Sequence, residues 1–254
     1  SGPRSLAWAC PTGRSALPTL RVCFVSLPTP PAPEDAKPGP RKPLMVRLVE
    51  HSPPRLSAYL RLIRADKPTG TLLLLLPCFW GTTLGMATAA AATPASAGLV
   101  AGLACALPPP DLCALFGIGA FVMRSAGCII NDMWDAHFDR EVERTKRRPI
   151  ACGHVTQTEA LVYLTLHLIV GLLVCLSLNN TALGVAIPSV FGLALYPTAK
   201  RFTYLPQLVL GFTFNWGVLV GFASATGTLS WPVFPIYLAG VAWTLLYDTI
   251  YGHQ

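Results

Sequence analysis

Three aspartates stand close together in the run Asn131-Asp132-Met133-Trp134-Asp135-Ala136-His137-Phe138-Asp139. If a helix continues through the run, about 100° per residue places Asp132, Asp135 and Asp139 at roughly 0°, −60° and −20°, with Asn131 on the neighbouring edge. Like charges one turn apart repel by roughly a few tenths of a kcal/mol per pair. A hard divalent cation relieves that repulsion. Mg2+ held by one or two carboxylates usually completes its shell with water and substrate phosphate oxygens. The stripe therefore predicts a metal and diphosphate site, with Asp132, Asp135 and Asp139 as its carboxylates. Arg140, Glu141, Glu143, Arg144, Lys146, Arg147 and Arg148 follow directly and read as a solvated, mixed-charge anchor; phosphate contact by Arg147-Arg148-Pro149 is the weaker reading.

The elements that carry these residues are apolar. The chain has 254 residues, 52% hydrophobic and 12% charged, with a mean hydropathy of +0.50. An ordinary soluble domain carries about 25% charged residues. The composition predicts an all-α, polytopic membrane helix bundle and excludes a disulfide-stapled scaffold. A bilayer core of about 30 Å takes roughly 20 apolar residues per helix, which predicts six spans: 69–89, 111–130, 160–178, 181–196, 205–223 and 231–247. The span at 181–196 is short and contains Pro188, so a kink or tilt is expected there. The Ala/Gly-rich stretch 90–106 reads as a connector or re-entrant segment, with an extra span as the alternative. Three Gly-x-x-x-Gly spacings, Gly81/Gly85, Gly98/Gly102 and Gly217/Gly221, predict close helix approach.

The net charge of +7 resembles a nucleic-acid footprint until it is located: it resides entirely in residues 1–67, and the remainder is neutral. No nucleic-acid partner is expected. Before Glu34 the chain carries Arg4, Arg14 and Arg21, several serines and no acid, the composition of a mitochondrial transit peptide. A disordered basic tail is the alternative. Residues 1–58 are read as this leader and 59–254 as the membrane domain. With six spans, nearly every charge outside the leader falls on one side, which is the cytoplasmic or matrix side by the distribution of Lys and Arg. The sequon Asn179-Asn180-Thr181 falls on the uncharged side. The eight cysteines form no Cys-x-x-Cys pair, and His167, alone in an apolar run, reads as a hydrogen-bonded buried histidine.

The same alternation brings Lys200-Arg201 and Tyr247-Asp248-Thr249-Ile250-Tyr251 to the face that holds the aspartate run. Acids for metal and bases for phosphate on one face predict a charge-neutralising pocket. Arg124 lies seven residues before Asn131, about 10 Å deeper along the helix. An intramembrane Arg normally faces a cavity or a partner. It is read as a receiver for a small carboxylate, with snorkelling or a structural pairing as the alternative.

With these residues in view, Asn131-Asp132-x-x-Asp135-x-x-x-Asp139 on an intramembrane helix resembles the UbiA superfamily of membrane prenyltransferases. Leu62-Ile63-Arg64-Ala65-Asp66-Lys67-Pro68-Thr69-Gly70-Thr71 is similar to that family's opening helix. Tyr196 to Arg201, Pro206 to Gly211 and Phe214-Asn215-Trp216-Gly217 resemble its 4-hydroxybenzoate branch, and Tyr247 to Gln254 the start of a second aspartate motif. The resemblance implies a nine-span fold with both motifs flanking a central cavity. It implies Mg2+ gripping the diphosphate of a long polyprenyl donor, whose allylic cation alkylates 4-hydroxybenzoate beside its hydroxyl in ubiquinone biosynthesis. By the same resemblance Asn131, Asp132, Asp135 and Asp139 form the first metal and diphosphate site and Asp248 opens the second. Lys200, Arg201, Arg64 and Arg124 then complete the substrate-binding set. The implied setting is the mitochondrial inner membrane, with membrane lipid and other ubiquinone-biosynthesis proteins as partners and the motif side facing the matrix. The domain is read as incomplete at its C-terminus, with a catalytically inactive short form or scaffold as the alternative. A transporter is disfavoured: the charges crowd one face, and no internal repeat is visible.

Overall fold

The computed structural model describes residues 43–91 and 108–252, with the side chains of 194 and 196–202 outside the described set. Among the described residues every regular element is a helix: α1 (Leu44–His51), α2 (Pro54–Leu62), α3 (Thr69–Ala91), α4 (Pro110–Trp134), α5 (Ala136–Glu141), α6 (Gln157–Leu176), α7 (Asn180–Phe202), α8 (Pro206–Thr226) and α9 (Val233–Gly252). Helices α3, α4, α6, α8 and α9 are long and apolar enough to cross a bilayer, and α7 carries a shorter apolar stretch, Asn180–Leu193. The fold is thus the expected all-helical membrane bundle. Helix α7 runs on through Pro188 to Phe202, beyond the end at Tyr196 that its hydropathy marks. Residues 1–42 and 92–107, including the leader reading and Gly98/Gly102, lie outside the described residues. Residue 58, after which the membrane domain is expected to begin, lies within α2, and Val49, Ser57 and Ala58 are buried.

Local chemistry sets the helix ends. Pro54, Pro110 and Pro206 open α2, α4 and α8 at the first turn, where a missing N–H costs nothing. The α6 start is a capping box: Glu159 N–H donates to Thr156 Oγ1 (3.2 Å), and Thr156 N–H donates to Glu159 Oε2 (2.8 Å). Replacing Thr156 with Ala is expected to cost about 1 kcal/mol, read as a lowered unfolding temperature in detergent that Thr156→Ser does not show. Asn179 Oδ1 accepts the Ala182 N–H at the head of α7, and its amide donates to the Ala223 and Ser224 carbonyls at the tail of α8, both at 2.9 Å. Thr181 Oγ1 donates to the Gly227 carbonyl (2.7 Å). The sequon residues are therefore spent on fastening two helices.

The densest packing is α3 on α8, which run parallel. A Cβ at Gly81 would strike the Val218 carbonyl and one at Gly221 the Cys78 carbonyl; at Gly217 it would come within 2.6 Å of Cys78 Sγ. Two of the three glycine spacings thus form a single crossing in which backbones touch. Helix α8 then packs α7 and α9, while α4 packs α6. Asn215 crosses from α8 to α9, donating to Thr244 Oγ1 (2.8 Å) and to its own Gly211 carbonyl (2.9 Å). His167 is hydrogen-bonded as expected, Nδ1 to the Tyr163 carbonyl at 2.8 Å, but half-buried and not buried, because it stands on the partly lipid-facing side of α6. Outward-facing Leu166, Leu172, Leu173 and Phe191 are exposed, a surface that suits lipid and not water.

The start of α3 and the end of α4 lie together, so these two helices are antiparallel. The connector and extra-span readings of 90–106 fall on residues that lie, but for the first two, outside the described set. A buried cluster of Ala58, Leu62, Ile63, Ile129, Ala136, Ile150, Val155 and Ala160 gathers α2, α4, α5, α6 and the loop between α5 and α6 at this end of the bundle.

Candidate active site

That end holds a cavity of about 1110 Å³. Its rim is polar: Arg64, Asp66, Lys67, Arg124, Asn131, Asp132, Arg148, Tyr247 and Asp248. Its wall is apolar, with Leu73, Leu74, Met123, Leu193, Leu210 and Phe214. The starts of α3 and α8 and the ends of α4 and α9 meet here, as the alternation of charge anticipates.

The aspartate run is not one continuous helix. Helix α4 ends at Trp134, Asp135 sits at a bend (φ −93°, ψ 4°), and α5 resumes at Ala136. The i→i−4 bonds Asp135 N–H to Asn131 O (3.0 Å) and Asp139 N–H to Asp135 O (2.9 Å) persist across it. Asp132 and Asp139 consequently still share a face, and both are buried. Among the described residues no three acidic, His or Cys side chains are arranged as a metal site. Two of the three carboxylates meet arginine. Arg64 Nη2 donates to both oxygens of Asp132 (2.9 and 3.1 Å), and Arg148 Nη1 donates to Asp132 (3.1 Å) and Asp139 (2.8 Å). Asp132 borders the cavity; Asp135 and Asp139 do not line it.

Each arginine is held from behind. Arg64 adopts φ +57°, a left-handed conformation that non-glycine residues seldom take, in the turn between α2 and α3. Its N–H donates to the Arg61 carbonyl (3.1 Å), and the adjoining Ile63 and Ala65 are buried. Arg148 lies in a loop fixed by Arg148 N–H to Thr145 O and Cys152 N–H to Arg148 O, both 2.9 Å, and by the buried side chains of Ile150 and Val155. Thr145 Oγ1 donates back to the Asp139 carbonyl (3.2 Å). Farther along the loop, the hydrogen bond from Lys146 (2.6 Å) holds the Glu143 carboxyl below its usual range, and both side chains are exposed. That part of the loop is the solvated run expected.

Arg124 lines the cavity. Its Nε is buried without a hydrogen-bond partner, and the guanidinium lies against Gly70, where a Cβ would come within 2.8 Å of Cζ. Asp248 lines the opposite wall at the end of α9. Lys200 and Arg201 stand in the last turn of α7, with side chains outside the described set. Two residues that sequence reasoning passed over are also here. Asp66, with Oδ1 buried and unpartnered, and Gly70, whose missing side chain admits Arg124, both belong to the segment before and at the start of α3.

Mg2+ suits this donor set: Asn131 and Asp248 offer hard oxygen ligands at the cavity, Asp135 follows Asn131 by one turn, and the surrounding guanidinium groups match the phosphate oxygens that Mg2+ shares with a substrate.

A profile of the UbiA prenyltransferase family matches residues 74–254. The chain is 48% identical over 213 residues to the 4-hydroxybenzoate polyprenyltransferase, mitochondrial, of Caenorhabditis elegans, covering 84% of this chain and 55% of that protein. It is 45% identical over 210 residues to the human protein of the same name, covering 82% and 52%. The chain spans about half the length of these curated relatives. Among solved structures it is similar to a UbiA homologue from Aeropyrum pernix K1 (TM-score 0.54, 24% identity, 70% of this chain and 62% of that one). It is also similar to one from Archaeoglobus fulgidus bound to GPP and Mg2+ (TM-score 0.52, 20% identity, 76% and 61%). With the helix order, the cavity and the aspartate run in agreement, the chain belongs to the UbiA prenyltransferase family.

Proposed function

We propose that the protein transfers a polyprenyl group from polyprenyl diphosphate to the ring of 4-hydroxybenzoate, in ubiquinone biosynthesis. The observation that carries the reading is the cavity itself. Arg64, Arg148, Arg124 and Lys67 surround a space whose apolar wall opens among membrane helices, which suits an anionic head on a long hydrocarbon tail. The names of the relatives supply the acceptor and the mitochondrial setting.

In this reading Asn131, Asp135 and Asp248 hold Mg2+, which when bound offsets the charge that grows on the departing diphosphate. Arg64 and Arg148 donate to the diphosphate oxygens, fixed before the substrate arrives, so that little reorganisation is needed as charge develops. Lys200 and Arg201 approach from α7. The bond from the allylic carbon to the diphosphate oxygen breaks, the ring carbon beside the hydroxyl forms the new bond, and the displaced ring proton leaves. Arg124, deeper and unpaired at Nε, receives the acceptor's carboxylate and turns the ring toward the donor. The apolar wall keeps water from capturing the cation. The setting is the mitochondrial inner membrane with the cavity end toward the matrix, where Lys and Arg accumulate.

The test is transfer of a labelled polyprenyl group to 4-hydroxybenzoate in membranes carrying the protein. Product is expected with Mg2+ and not with a chelator, and Arg124→Gln is expected to raise the KM for 4-hydroxybenzoate by about tenfold or more. Equal transfer to an aromatic acceptor without a carboxylate would overturn the assignment.

A further inference from the structure

We propose that Asp132 is a positioning residue that presents two arginines to the diphosphate, and not a ligand of the metal; the proposal rests on the diphosphate reading of the cavity. An ionised carboxylate has about four lone-pair sites. At Asp132 three of these are taken, two by Arg64 and one by Arg148. Its side chain is 0% exposed, against 22% for Arg64 and 24% for Arg148. The carboxylate is thus enclosed while both guanidinium groups keep a face on the cavity. A cation could reach it only by expelling the arginines.

The enclosing geometry is built from three separate places in the chain. Arg64 comes from a left-handed turn, Arg148 from a braced loop, and Asp132 from the last turn of α4. Arg148 spans Asp132 and Asp139, so Asp139 steadies the same fork from α5. The run Asn131–Asp139 then divides by function. Asp132 and Asp139 hold arginines, and the metal falls, in the proposed function, to Asn131, Asp135 and Asp248.

The experiment compares Asp132→Asn with Asp135→Asn in the purified protein, reading Mn2+ binding by electron paramagnetic resonance and separately the affinity for inorganic diphosphate. Asp132→Asn is expected to leave Mn2+ affinity within about twofold and to weaken diphosphate by about tenfold or more, the usual scale for a partner that orients a contacting group. Asp135→Asn should weaken Mn2+ by at least as much. If Asp132→Asn lowers Mn2+ affinity as far as Asp135→Asn does, the proposal is wrong. Should Asp132→Asn not fold, Arg148→Lys takes its place, since lysine keeps the charge but lacks the guanidinium nitrogens beyond the one, Nη1, that holds both carboxylates. It should weaken diphosphate with Mn2+ affinity retained, and unchanged diphosphate affinity would overturn the proposal. No aromatic acid enters these measurements, so failure of transfer to 4-hydroxybenzoate would sink the acceptor assignment alone.

Discussion

Arg148→Ala is expected to lose transfer activity and to lower the unfolding temperature together. Removing one partner of a buried ion pair costs about 3–5 kcal/mol, because the other charge stays behind unpaired. Here Asp139, 9% exposed at the side chain, stays behind unpaired, and the fully shielded Asp132 keeps only Arg64. Arg148 itself is 24% exposed, which places the cost toward the lower end, about 3 kcal/mol. Thermal unfolding in detergent and labelled transfer in membranes read the two effects. The double variant Arg148→Ala with Asp139→Ala should recover stability relative to Arg148→Ala alone, since it removes the stranded charge. It should not recover transfer. Equal unfolding temperatures for wild type and Arg148→Ala would mean that solvent, and not Arg148, balances these acids.

The second large effect lies in the bundle. Gly221→Ala puts a methyl group into the Cys78 carbonyl and within 2.9 Å of Thr82 Oγ1. Backbone cannot step aside as a flexible side chain does, so the crossing must open, at a cost of about 3 kcal/mol. Gly184→Ala is the control: it lies inside α7, and nothing stands within 4 Å of the added carbon. There alanine's better helix propensity should stabilise by about 1 kcal/mol. Unfolding temperatures that move in opposite directions for two chemically identical changes would establish that the α3–α8 contact, and not glycine as such, is responsible.

The membrane helices were legible because their signal is local: each is a run of apolar residues, and charge alternates between the connections. The glycine spacings at 81/85 and 217/221 announced a close contact, though not that they would meet one another. The aspartate run announced its chemistry for the same local reason. What it concealed was pairing. Arg64 is 68 residues from Asp132 and Arg148 is 16 residues from it, across a loop with no periodic pattern. The uninterrupted-helix assumption also hid the bend at Asp135, because a bend that keeps its i→i−4 bonds leaves no Gly or Pro in the sequence. Asp66 and Gly70 had a readable signal, an Arg-Ala-Asp-Lys-Pro cluster at the mouth of an apolar run, but their value depends on Arg124 arriving from another helix.

The link made by Asn179 has a mechanical meaning. It joins the head of α7 to the tail of α8, with Thr181 joined to Gly227 beside it, at the end of the bundle opposite the cavity. Helix α7 extends about 35 Å from that point. Distance amplifies any slack in that joint: a change of about 5° there would carry the far tip through about 3 Å. Lys200 and Arg201 ride on that tip. The fastening at Asn179 and Thr181 therefore governs how closely the distant tip is placed, beside a helix, α8, that is itself locked to α3 through glycine.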